Sequence, residues 1–169
     1  MNTFELIKQM MQGMRSQVNM TMKDVTFDQF NWASPGTCNT ISATFIHMTA
    51  SEDYFVQDVL QGKPHVWDAG NWCEKTWVKK TPGIGENWDE FKRSTLPLVP
   101  FFEYQKAVWA ATDAYIAGLT TQELERKVKF AGGTRTVGDM LVLAAAQELA
   151  HSGEIAALKG AQGVKGLPI

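Results

Sequence analysis

The sequence predicts an all-α protein built as a four-helix bundle, on three observations. Four long segments carry apolar residues at alternating intervals of three and four, the repeat of a helix that buries one face. Helix-starting and helix-stopping residues flank those segments at suitable offsets. Alternating apolar and polar runs are nearly absent, and only a short pair of strands is expected, turning at Gly132–Gly133.

The first helix is expected from about Thr3 to Met22, burying Phe4, Ile7, Met11, Met14 and Val18. Its methionines read as adaptable core filler. The link "DQFNWASPGTCNT" is broken by Pro35 and Gly36, and Thr37 or Asn39 is expected to cap the next helix. That second helix runs from about Thr40 to Gln61, with Ile41, Phe45, Met48, Phe55 and Val59 inward and Gly62 and Pro64 ending it. Residues 62–94 break the periodicity and carry Trp67, Trp72, Trp77 and Trp88. Exposed tryptophans are costly, so this long Trp-rich connection between helices two and three is expected to pack over one end of the bundle, with "ENWDEFKR" as a small helix. Pro97 and Pro100 suit the start of the third helix, which buries Phe101, Val108, Tyr115 and Leu119. Thr120 with Glu123 caps a short turn, and Thr136 with Asp139 forms a capping box for the fourth helix, which runs to about Lys159. Gly160 and Gly163 close it, leaving the tail "GAQGVKGLPI" loosely held.

The 169 residues suit one domain spanning 1–169, and the net charge of −2, from 16 basic and 18 acidic residues, comes without a basic stripe. Nucleic acid is therefore not an expected partner. The longest apolar run, Met140 to Ala146, is far too short to span a bilayer, so no membrane partner is expected. The N-terminus lacks a signal-type pattern, and cytoplasmic residence is the expectation. Cys38 and Cys73 lack the spacing of a zinc site and are expected to be reduced thiols.

The stretch "AAAQELAHSGEIAAL" raises the question of function. Gln147, His151 and Glu154 project from one side of the fourth helix, beside Met140, Ala144, Ile155 and Leu158. On the second helix His47 flanks Phe45 and Met48 and shares its side with Ala43, Thr44, Ser51 and Tyr54. Two ligands at i and i+4 on one helix, with a third from a neighbour, leave open positions for water or substrate, as a catalytic metal site requires. The same residues can equally form a satisfied core network in which each imidazole donates to one group and accepts from another. His65 is a further candidate ligand.

The chain resembles the DinB/YfiT-like metalloenzyme family of bacterial four-helix bundles over nearly its whole length. Helix lengths, a histidine near the middle of helix two and a histidine-bearing motif late in helix four carry the resemblance. Family members show a pattern similar to H-x-x-H-H-x-G-Q, and this chain reads "QELAHSGE" there. The resemblance implies a divalent ion (zinc, nickel or iron) held by His47 and His151, with Gln147 standing at the position of the family's other histidine. An amide oxygen is a poorer donor than imidazole for zinc or nickel. Weak binding, completion of the set by Glu154, and loss of the metal are thus all open. The resemblance also implies a homodimer and a metal-dependent enzyme of thiol-transferase or hydrolase type, acting on a small molecule or thiol. The alternative is a non-catalytic member, with a degenerate metal site, serving as a small-molecule-binding or stress-linked dimeric interaction module. Catalytic residues beyond the ligands are not assigned.

Overall fold

The computed structural model describes residues 2–81 and 88–167. Four long helices form the bundle: α1 (Thr3–Met22), α3 (Ile41–Asp53) with its continuation Tyr54–Leu60, α7 (Leu98–Ala117) and α9 (Val137–Ala161). Between them lie the short helices α2 (Phe27–Asn31), α4 (Val66–Ala69), α5 (Trp72–Thr76), α6 (Asp89–Arg93) and α8 (Thr121–Glu125). A two-stranded antiparallel hairpin, β1 (Lys127–Phe130) and β2 (Gly133–Thr136), pairs Phe130 with Gly133 at its turn. The last helix packs against both α1 and α3, α3 packs against α7, and α7 closes the ring onto α1. First and last helices are therefore neighbours. Among the described residues no helix is long and apolar enough to cross a membrane.

Local chemistry fixes the helix starts. Asn2 and Glu5 exchange side-chain and backbone bonds of 2.9 Å, and Thr136 and Asp139 do the same at α9 with bonds of 2.9 and 3.0 Å. The cap of α3 is Thr40, not Thr37 or Asn39: Thr40 Oγ1 accepts the Ala43 amide at 3.0 Å, while the Asn39 amide turns to Glu154. Every residue of α3 except Ala50 is buried, because neighbours cover this helix on all sides. Its continuation widens to π-type bonding over Tyr54–Leu60, a departure that periodicity did not reveal. Gly62, at φ +62°, ends it in the left-handed conformation that glycine tolerates.

The apolar core has two parts. One gathers Val18, Phe45, Met48, Phe101, Val108 and Ile155 with Trp67 and Trp72 from the connection. The other gathers Met11, Phe55, Ile116, Met140 and Leu141. Trp67 and Trp72 pack on Tyr104 with ring centroids 5.0 and 5.6 Å away, whereas Trp77 is 81% exposed, so only part of the Trp-rich segment covers the bundle. The helix expected over 86–93 is seen as α6, with 86 and 87 outside the described residues. The tail is more firmly held than expected. Gln162 Nε2 donates to the Gln29 carbonyl at 3.3 Å, and Gly166 lies so close to the Ala156 carbonyl that a Cβ there would collide.

Candidate functional site

Packing of α3 against α9 brings His47 and His151 together. Their rings meet edge to face, centroids 5.2 Å apart and planes at 89°. His47 is buried, with Nε2 3.4 Å from Ser51 Oγ one turn on and the Trp88 ring 4.3 Å from its own. His151 Nδ1 lies 3.0 Å from Glu154 Oε2. An ionised carboxylate only accepts, so Nδ1 is the donor of this bond, and Nε2 is the nitrogen left to face other groups. Glu154 is itself fixed: Oε1 accepts from Thr44 Oγ1 at 3.1 Å and from Asn39 Nδ2 at 3.3 Å. The His151 hydrogen bond, followed by attraction to that ring and the Thr44 and Asn39 donors, holds the Glu154 carboxyl below its usual range despite partial burial.

Two imidazoles sharing a tetrahedral ion at ~2.0–2.1 Å have centroids roughly 5 Å apart, so the ring separation fits a shared ion. The support of His151 by a carboxylate also matches the way ligating histidines are commonly oriented. The remainder of the donor set is thin. Among the described residues no three His, Cys, Asp or Glu side chains form a metal-holding group. In this arrangement Glu154 is occupied in orienting His151, and Gln147, one turn before His151, lines the neighbouring cleft. His65 lies between Asp58 and Asp68, at 3.8 and 3.9 Å, beside the Tyr54 ring. Cys38 and Cys73 are exposed free thiols.

Ser51 and Gln147 also line a cleft of ≈ 720 Å³ with Tyr54, Phe55, Trp67, Phe130 and Leu143 in its walls and Lys79 in its lining. The hydrogen bond between Ser51 and His47 thus joins the histidine pair to this compartment. The volume falls in the range of small-molecule sites.

Gln147, His151 and Glu154 are only half-buried; the fully enclosed polar residues of α9 are Glu148, Ser152 and Lys159, one position round the helix. Sequence reasoning missed them and the polar layer to which Glu148 belongs. Arg15 of α1 bonds Glu52 of α3 at 2.8 Å and Asp113 of α7 at 2.6 Å, while Trp109 Nε1 donates to Glu148 at 2.7 Å. The arginine also stacks over Trp109 at 5.2 Å. On each long helix this layer falls between residues of the two apolar clusters, as Arg15 does between Met11 and Val18. A signal existed: Arg15 occupies an apolar-stripe position, four residues after Met11.

The family model described as DinB superfamily matches residues 10–155. Among solved structures, a conserved protein from Enterococcus faecalis is similar with a TM-score of 0.78 at 17% identity, covering 94% of this chain and 96% of that one. At that identity the likeness is one of fold. No curated protein matches the chain.

Proposed function

The chain belongs to the DinB superfamily, and from that premise we propose that His47 and His151 form a two-imidazole centre for a divalent ion serving a small-molecule reaction in the adjoining cleft. The observation that carries this reading is the 5.2 Å separation of the two rings, with His151 Nδ1 held against Glu154. Gln147 supplies the third donor, and Ser51 orients His47. Bound there, a divalent ion would act as a Lewis acid, lowering the pKa of a coordinated water or thiol. The cleft's walls are largely apolar, and Gln147 and Ser51 offer polar groups that fix a ligand's orientation. Association as a homodimer fits this reading through Val142 and Leu149, exposed seven residues apart on α9.

A second reading, a non-catalytic small-molecule-binding module, is favoured by the absence of a third strong donor among the described residues. Elemental analysis of tag-free protein, with thermal unfolding of wild type and His151→Ala with and without chelator, separates the two. The metal reading expects bound metal, a chelator-sensitive melting temperature in wild type, and no chelator response in the variant. Metal-free protein whose melting temperature ignores both chelator and added zinc, nickel or iron overturns it.

A further inference from the structure

We propose that Trp88 is a positioning residue for the histidine pair, holding the His47 ring in place and favouring its ion-bound form. The proposal rests on the reading of His47 and His151 as an ion centre and adds a third residue to it. Trp88 comes from outside the four long helices, late in the Trp-rich connection and immediately before α6. Its ring lies 4.3 Å from that of His47, tilted by 47°, nearer than the His151 ring at 5.2 Å. The start of α6 is anchored. The Lys92 amide donates to the Trp88 carbonyl at 3.0 Å, Lys92 Nζ donates to the Thr37 carbonyl at 3.1 Å, and Phe91 packs against the apolar cluster around Phe45 and Phe101. Thr37 belongs to the link whose Asn39 bonds Glu154. One patch therefore braces both histidines, His47 through Trp88 and His151 through Glu154.

Two physical effects follow from this contact. An imidazole free to rotate about its Cβ–Cγ bond presents its nitrogens to an ion only part of the time. The Trp88 ring limits that rotation from a separate element, beyond the 3.4 Å contact of His47 with Ser51 Oγ on the same helix. An imidazole that gives its lone pair to a divalent ion also becomes electron-poor. Indole is the aromatic side chain that attracts positive charge best, so Trp88 stabilises the ligated ring more than the free one. Trp88 is half-buried, and solvent screens only part of that attraction. Phenylalanine keeps a ring with a weaker quadrupole, and leucine keeps an apolar contact with none.

The test is calorimetric titration of zinc and nickel into the full tag-free chain, as wild type, Trp88→Phe and Trp88→Leu. Affinity is expected to fall about threefold in Trp88→Phe and about tenfold in Trp88→Leu, as for a lost aromatic pair that supports a ligand. The emission of Trp88, taken as the difference between wild type and Trp88→Phe, should be quenched by nickel at the stoichiometry that calorimetry gives. Saturating zinc should raise the melting temperature of wild type more than that of Trp88→Leu, each measured against its own chelator-treated form. A purely structural tryptophan would lower both forms of the variant alike and leave the zinc increment unchanged. Trp88→Phe, which keeps a ring against His47, guards against loss of the fold in the leucine variant. Metal bound by wild type and by Trp88→Leu with equal affinity refutes this proposal alone, as do equal losses in the two variants. Bound nickel that leaves the Trp88 emission unchanged places the ion away from His47 and overturns both this proposal and the ion centre. Wild type that binds neither metal overturns the ion centre and this proposal with it.

Discussion

Glu148 is a side chain whose surroundings alter its chemistry. It is fully buried, and burial, followed by the nearby Glu52 charge and a bond between the two carboxyls, pushes its pKa up to about 9, opposed by the Trp109 hydrogen bond and Arg15. Oε2 of Glu148 and Oε2 of Glu52 would both lack a donor if the two acids were ionised, and one shared proton satisfies them together. The folded state therefore holds a proton that the unfolded chain releases near the ordinary carboxyl range. Between that range and about 9, the unfolded state binds fewer protons, so stability falls as pH rises. Glu148→Gln keeps an acceptor for Trp109 and supplies a permanent donor toward Glu52. Urea unfolding from about pH 5 to about pH 9 should show wild type losing stability and the variant holding a flatter profile, more stable at the alkaline end. Parallel profiles for the two proteins would mean that Glu148 titrates as an ordinary acid.

At the scale of elements, Asp53 ties the Trp-rich connection to the bundle. Its oxygens accept the Val66 and Trp67 amides at 2.8 and 3.0 Å and Tyr104 Oη at 2.8 Å. These bonds fix the start of α4, and through Trp67 they set one wall of the cleft. Asn at this position would turn an amide donor toward groups that already donate. Asp53→Asn should cost ~1.5–3 kcal/mol, as for a lost charged hydrogen bond, and speed hydrogen exchange at Val66 and Trp67 while the centres of α1 and α9 stay protected. Unchanged exchange at those two amides would show that apolar packing alone holds the connection. Lys159 does similar work elsewhere, donating to the Thr21 carbonyl at 2.7 Å and so satisfying the end of α1.

For the whole molecule, the polar layer is the device that joins all four long helices. Arg15, Glu52, Asp113 with Trp109, and Glu148 each come from a different helix, and apolar clusters lie to either side. Only the correct rotation of every helix satisfies this layer, so it specifies the arrangement of the bundle. Arg15→Met removes the cation and strands Glu52 in the interior. Chemical denaturation should report a loss of ~3–5 kcal/mol for that change, with much of it recovered in Arg15→Met/Glu52→Met, where no buried charge remains unpaired. A single variant as stable as wild type would show that water reaches Glu52 and that the layer is only a surface feature.

The sequence by itself determined the four long helices, the Thr136–Asp139 box and the proximity of Gln147, His151 and Glu154 along one helix, whereas the hairpin turns at Ala131–Gly132, one residue before the expected Gly132–Gly133. These rest on interactions within a few residues, where the 3.6-residue repeat and the capping groups act directly. The meeting of His47 with His151 was open to expectation because both flank apolar stripes, but their angle and separation depend on how α3 crosses α9. Periodicity could not tell whether Gln147 or Glu148 turns fully inward, because an apolar face covers more than a third of the helix and adjacent positions straddle its edge. Nor could it show that Asn39 serves Glu154 while Thr40 caps α3, a choice made by a side chain more than a hundred residues away. The polar layer and the cleft belong wholly to the tertiary structure. Each is assembled from side chains on separate elements, and only packing brings an arginine of α1 against acids of α3 and α7, or aromatic groups of the continuation of α3, of α4 and of the hairpin around one cavity.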